Sequence, residues 1–301
     1  MTQKAPDRPV VGILWMLLTG MCFVMVTALV KFLGERMPAP QSAFLRYLIG
    51  FIMLSPLFWR LRKVHLDRTL WAQFAARGAM HAVGVMLWFF AMPRIPLADL
   101  TAINYLSPVY VTLGAALFLG ERLAIRRIAA VVAAVVGAVI VLRPGLREVG
   151  TGHWAMMGAA LVFGGSYLLA KVTVDKVGPL MVNAMLSLLV TLALAPVAWS
   201  VWVPPTWQEI AVLCGVAVFA TTGHYTMTLA FAAAPITVTQ PVTFLQLLWA
   251  TLLGVLVFGE PLDLWVVVGG SVILASVSFI TWREAKLNRR AVTPPDAATR
   301  F

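Results

Sequence analysis

Two apolar stretches, each long enough to cross a bilayer, carry the same line of polar residues. Leu100–Glu121 reads LTAINYLSPVYVTLGAALFLGE, and Thr101, Asn104, Ser107 and Tyr110 interrupt it at every third position. Offset by 139 positions, Thr239–Glu260 reads TQPVTFLQLLWATLLGVLVFGE, with Gln240, Thr243, Gln246 and Trp249 at the matching places. On a helix this spacing draws a slowly drifting stripe down one side. Each copy closes on Gly-Glu, at Gly120-Glu121 and Gly259-Glu260. A soluble fold has little use for a repeated polar line inside apolar helices. A membrane protein with a polar path through its centre does.

Composition agrees with that reading. The chain has 301 residues, 61% of them hydrophobic and only 12% charged, with a mean hydropathy of +0.89. Soluble globular chains carry about a quarter charged residues. The net charge of +11 would suit nucleic acid, but the basic residues sit in short connections between apolar runs, where they orient a membrane protein. No nucleic-acid partner is expected. Cys22 and Cys214 lie inside apolar runs without metal-ligand spacing, so they read as small filler, and no metal or cofactor is expected. The first apolar run, Val10 to Phe32, exceeds a signal-peptide core of roughly 7–15 residues and reads as a retained first span.

A span needs about 20 apolar residues. Ten fit the chain: 10–33, 40–59, 69–91, 97–119, 124–142, 152–174, 179–202, 207–231, 237–258 and 262–282. Unpaired backbone is intolerable in lipid, so these are helices, and the fold class is an all-α integral membrane protein. With the N-terminus inside, sixteen Lys and Arg residues fall on the cytoplasmic side and five on the other, which places both termini in the cytoplasm and the chain in the cell's inner membrane. The repeat reaches well beyond the opening stretch. Gly84/Gly223, Pro96/Pro235 and Leu123/Leu262 share the offset of 139; Gly12/Gly152, Lys31/Lys171, Pro56/Pro196 and Trp59/Trp199 share 140. Each half then has five helices, and an odd number turns the second copy upside down. Inverted repeats of this kind mark transporters, with the substrate near the midplane between the halves. The expected division is an N-terminal segment 1–9, repeats 10–142 and 152–282, a linker 143–151, and a basic, disordered tail 283–301.

The motif that ends each half also resembles a known family. Pro96 and Ser107-Pro108 through Gly120-Glu121-Arg122-Leu123, with Pro235 through Gly259-Glu260-Pro261-Leu262, resemble the EamA-type permeases of the drug/metabolite transporter superfamily, including its amino-acid and metabolite exporters. The likeness covers roughly residues 10–283. The second half departs from it in having Gln246-Leu247 in place of Ser-Pro and Pro261 after its Gly-Glu. The resemblance implies a carrier, not an enzyme, and leaves the substrate among amino acids, nucleotide derivatives, vitamins and drugs. It also implies an arginine at Arg46 that meets a substrate carboxylate.

Candidate lining residues follow from position. The two stripes would face each other across the pseudo-two-fold axis, and Pro108 permits a bend in the first of the two helices; if the second does not bend, the path is asymmetric. Arg77, His81, Gly84 and Trp88 share one face of helix three. His81 is the candidate for charge recognition or proton linkage, because imidazole titrates near neutral pH. His224 lies beside Gly223, and Trp88, Tyr167 and Trp249 could wall a cavity. Helices five and ten carry small residues every fourth position, Ala130, Ala134 and Ala138 in one and Ser271 with Ala275 in the other, serving helix packing or a homodimer. No phosphate-binding loop is present, and no Asp or Glu sits mid-span. The expectation is transport of a small molecule across the bilayer, by export of amino acids or related compounds. Two alternatives stay open: uptake of a larger aromatic metabolite such as a vitamin or nucleoside derivative, and a membrane scaffold that transports nothing.

Overall fold

In the computed structural model, residues 9–61, 67–118, 125–146, 148–234 and 239–292 are described, apart from a number of helix side chains, Gln240 and Lys171 among them. The elements are α1 (Pro9–Leu33), α2 (Ala39–Leu61), α3 (Arg68–Ala91), α4 (Leu97–Asn104), α5 (Ser107–Phe118), α6 (Ile125–Leu142), α7 (Thr151–Ser200), α8 (Trp207–Ala233), a 3-10 turn (Gln240–Thr243), α9 (Phe244–Phe258) and α10 (Leu264–Val292). Local chemistry sets their ends. Asp67 caps α3 by accepting from the Leu70 N–H at 2.7 Å. Thr206 and Glu209 form a capping box at the start of α8. Gly259, at φ +64°, closes α9 in the left-handed conformation that favours glycine.

The elements follow the ten expected spans, with four departures. Span four is broken into α4 and α5. The break falls at Tyr105-Leu106, where tight turns run from Tyr105 N–H to Ala102 C=O and from Leu106 N–H to Ile103 C=O. Pro108, which has no N–H to give, then sits in the first turn of α5, where none is needed. Span nine is interrupted too, so the condition for an asymmetric path, a bend in one helix alone, is not met. Its 3-10 turn ends at Thr243, and α9 starts at Phe244, the repeat partner of Tyr105.

Spans six and seven form one helical element of 50 residues, which would be about 75 Å long if straight. It cannot be straight. A Cβ on Gly84 would lie 2.7 Å from the Phe163 ring, and one on Gly78 would lie 2.7 Å from Leu189. Two α7 residues 26 positions apart thus meet α3 within six of its residues, so α7 reverses direction between them. The fourth departure is at the C-terminus. α10 runs to Val292, ten residues into the expected disordered tail, because Arg283, Glu284, Ala285, Lys286 and Leu287 are all good helix formers; 293–301 lie outside the described residues.

The helices pack as pairs and triples along the bundle. α1 lies on α8, α2 and α3 on α7, and α6 on α10. The small residues of α6 are used inside the chain: Ala130, Ala134 and Ala138 are buried, and a Cβ on Gly137 would sit 2.7 Å from the Gly269 carbonyl of α10. Exposed tryptophans near helix ends, Trp199, Trp207 and Trp265, fit an interfacial belt.

The turns after α1, α3, α6, α7 and α9 gather at one end of the bundle, and polar contacts tie them together. Lys31 Nζ lies 2.6 Å from Glu260 Oε1 and donates to the Ile95 carbonyl at 2.8 Å. Glu260 Oε2 accepts the Leu97 N–H at 2.9 Å. The Gln41 amide pairs in both directions with the Val203 backbone, at 2.6 and 2.8 Å. Arg36 Nε donates to Glu209 Oε1 at 2.7 Å, His153 Nε2 meets Asp99 Oδ2 at 2.9 Å, and Arg143 pairs with Asp263. Each of these ion pairs joins a residue at or before Arg143 to one at or after His153. One end of the molecule is therefore pinned by charges that cross from the first half of the chain to the second.

Candidate substrate site

Behind that pinned end, α2, α3 and the first half of α7 bring aromatic and cationic side chains together. His81 is at the centre and is buried. Its Nε2 is 2.9 Å from the Tyr47 hydroxyl and its Nδ1 is 3.1 Å from Ser166 Oγ. Both ring nitrogens are thus engaged by hydroxyls, each of which can donate or accept. The Phe163 ring lies 4.8 Å from it, Tyr167 stacks on Phe163 at 6.1 Å, and Trp88 meets Phe163 edge-on at 6.1 Å. Arg46, on α2, lays its guanidinium over the Tyr47 ring at 3.9 Å. Arg77, one turn before His81, is buried and donates to the Val182 carbonyl at 2.8 Å. His224, on α8, meets Phe23 of α1 edge-on at 5.2 Å.

Tyr167 leaves 42% of its surface open, although it stands on the buried face of α7. At 100° per residue it is about 40° round the helix from Phe163, whereas Leu161 is about 160° away. Leu161 and Trp154 form the outward face, open by 55% and 62%. Tyr167 thus stands on the side of α7 that carries Phe163, away from Leu161 and Trp154.

The two stripes behave differently from the facing ladders drawn by sequence. A three-residue step falls 60° short of a turn, so three steps carry the line half-way round the helix. Thr101 is buried and donates back to the Leu97 carbonyl at 2.8 Å. Asn104 ends α4 and is partly accessible, as is Tyr110. Ser107 is buried, and its Oγ has no hydrogen-bond partner among the described residues; the same holds for Trp88 Nε1. In the second copy, Thr243 meets the first at the shared break, where its carbonyl accepts the Tyr105 hydroxyl at 2.7 Å. Gln246 packs against α1, with its Cβ 3.6 Å from where a Cβ on Gly20 would be. Trp249 shares the exposed face of α9 with Leu252 and Leu256. The Gln240 side chain lies outside the described residues. The halves do meet along α4 and α9, but at the helix breaks instead of along full stripes.

Sequence reasoning missed Lys31 and Glu260 as a pair. It used Gly-Glu only as a marker of the repeat. In the structure the glycine ends α9 and turns the glutamate towards the first half of the chain, where it reaches the N-terminus of α4. A carboxylate is favoured there by the helix dipole. The duplicated lysine, Lys31/Lys171, was the available signal.

With this geometry in hand, comparison with known proteins is informative. A profile of the EamA-like transporter family matches the chain twice, over residues 10–143 and 150–282. The chain belongs to the EamA-like transporter family. As an EamA protein of the drug/metabolite transporter superfamily, it is a multi-pass membrane transporter and not an enzyme. Among its curated relatives is a riboflavin transporter of Rhizobium johnstonii, 30% identical over 292 residues, covering 95% of each chain. Another is the pseudopaline exporter CntI of Pseudomonas aeruginosa, 28% identical over 269 residues, 88% of this chain and 94% of the exporter. An S-adenosylmethionine uptake transporter of Rickettsia prowazekii is 24% identical over 278 residues, 91% of this chain and 94% of that one. A crystal structure of a protein 17% identical in sequence superposes with a TM-score of 0.58, covering 94% of this chain and 98% of the other. It shares the fold.

Proposed function

We propose that this EamA protein carries a small, ring-bearing organic metabolite across the inner membrane by alternating access of two inverted five-helix repeats. The observation that carries the reading is the aromatic cluster of Trp88, Phe163 and Tyr167 beside His81, in which Tyr167 keeps 42% of its surface accessible. Aromatic faces take flat ring systems with modest specificity. Riboflavin and S-adenosylmethionine, which two relatives are named for, both carry ring systems. Amino-acid export ranks second. The pseudopaline exporter supports the outward direction, but an amino acid's ammonium has no carboxylate to meet, since the described Asp and Glu side chains of the membrane spans all lie near helix ends.

The inverted repeat is supported by the gathered turns and by the charges that cross between halves. The positive-inside bias puts the pinned end outside the cell and both termini in the cytoplasm. In this conformation the outer end is shut, and opening it means parting Lys31 from Glu260, Arg36 from Glu209, Arg143 from Asp263 and His153 from Asp99. The remaining candidate contacts, Asn104, Ser107 and Tyr110 with Thr243 and Gln246, stand near the helix breaks where the halves would move past each other. The test is uptake into proteoliposomes of a panel of labelled solutes. Saturable entry of flavin or nucleoside compounds, uncompeted by amino acids, supports the proposal; saturable entry of amino acids alone reverses the ranking.

A further inference from the structure

We infer that the inner end of α10 is a binding site for anionic phospholipid headgroups, built on the helix face that the rest of the bundle leaves open. The inference rests on the orientation proposed above and not on the substrate. α10 runs from Leu264 to Val292, about 42 Å along its axis, whereas the hydrocarbon core of a bilayer is about 30 Å thick. Its last ten residues, 283–292, read REAKLNRRAV and hold four bases and one acid.

One side of α10 packs inward. Val266, Ile273, Leu274, Val277 and Ile280 are buried, and a Cβ on Gly269 would lie 2.5 Å from the Gly137 carbonyl of α6. The other side is open: Leu264, Trp265, Val268, Phe279 and Trp282 are all exposed. At 100° per residue these five fall within an arc of about 100°. The same register carried past Trp282 puts Arg283, Lys286, Arg289 and Arg290 within about 120° on that open side. Glu284, Leu287 and Ala291 fall on the packed side, so the acid lies away from the four bases. The open stripe therefore changes from apolar to basic at Trp282 without leaving its side of the helix.

That change falls where headgroups begin. Trp265 and Trp282 are seventeen residues apart, about 25 Å along the axis, and tryptophan favours the two edges of the hydrocarbon core. A lipid whose chains lie along Ala275 and Phe279, both exposed, has its phosphate level with the four bases. Guanidinium forks fit phosphate oxygens two at a time. A zwitterionic lipid brings its own cation to that level and an anionic lipid does not, so a basic cluster just inside a span selects the anionic one. Bases that served only to orient the chain, or to favour a helix C-terminus, would be needed for their number and not for their side.

The experiment is photocrosslinking of the purified full-length protein in nanodiscs of equal parts phosphatidylglycerol and phosphatidylcholine with the same acyl chains. The photoreactive residue p-benzoylphenylalanine in place of Phe279, one turn before Arg283, captures lipids on the open face, and mass spectrometry counts the adducts of each. The expected result is about fivefold or greater capture of phosphatidylglycerol, the preference that one base near an anionic surface gives, shrinking as salt is raised. The same photoreactive residue in place of Val268, on the same face near the other end, should capture both lipids equally. Arg283→Gln, Lys286→Gln, Arg289→Gln and Arg290→Gln together should bring the ratio at position 279 to about one. Glu284→Lys, Leu287→Lys, Asn288→Lys and Ala291→Lys added to that variant return four bases on the packed side and should leave the ratio there. Equal capture by the native sequence, an equal preference at position 268, a preference that survives the four Gln substitutions, or its recovery with the relocated bases in protein of normal unfolding midpoint overturns the inference. None of these outcomes bears on the solute that is carried.

Discussion

Replacing Glu260 with Gln should loosen the outer end without disturbing its shape. The amide can still accept the Leu97 N–H that now lies 2.9 Å from Glu260 Oε2, but the charge opposite Lys31 disappears. Lys31 is left with the Ile95 carbonyl at 2.8 Å and the Phe258 ring at 5.8 Å. Breaking a fully buried pair costs about 3–5 kcal/mol, and an exposed pair is worth about 0–1 kcal/mol. These side chains are 15% and 11% exposed, so about 2 kcal/mol is a fair figure between the two. If the pair is parted when the end opens, that energy shifts the balance towards the open form by roughly 30-fold. The substitution Thr251→Cys reports it. Thr251 is buried and lines a small cavity of about 70 Å³ under the pinned end, together with Pro96, Ala98, Asp99 and Glu260. With Cys22 and Cys214 replaced, an impermeant maleimide applied to the outer face should label the introduced thiol about 30-fold faster in Glu260→Gln, by the same arithmetic. Adding Lys31→Met, which removes the orphaned charge, should bring the rate part of the way back. An unchanged rate, or additive effects of the two substitutions, would refute the role given to the pair.

Three further outcomes follow from the same geometry. Gly84→Leu drives a side chain into the Phe163 ring, already 2.7 Å from the Cβ position; overpacking of this kind costs about 1–3 kcal/mol, visible as a lower unfolding midpoint together with lost ring-compound binding. His81→Gln should reduce flux, since Tyr47 and Ser166 lose their shared partner, but should leave the pH profile of the remaining flux in place; a profile that flattens would show that protons pass through His81. Asn104→Leu combined with Gln246→Leu should abolish flux with normal folding, whereas a scaffold would tolerate both.

The duplication was legible because Gly, Pro, Trp and Lys recur at nearly one offset, and those types seldom match by accident in apolar sequence. The spans were legible because the bilayer fixes their length. The stripe was only half legible. Its period of three was real, but that period rotates around a helix, so Thr243 and Trp249 end on different faces. Lys31 and Glu260 were visible as repeated residues, yet nothing local says that one half's lysine meets the other half's glutamate. That contact is set by how the halves pack. Arg46 was singled out by resemblance alone; its burial over Tyr47, away from any described carboxylate, is a tertiary fact. Glu121 and the Lys171 side chain, the repeat counterparts of Glu260 and Lys31, lie outside the described residues.

The most direct test of the central claim is trans-acceleration. Labelled riboflavin is presented to proteoliposomes that are either empty or loaded with the unlabelled compound. A carrier that exposes one site alternately to each side returns faster when its site is filled, so loaded vesicles should take up label several times faster than empty ones, and Asn104→Leu with Gln246→Leu should remove the difference. Equal rates in loaded and empty vesicles, with entry that does not saturate for riboflavin or any other ring compound, would contradict the account.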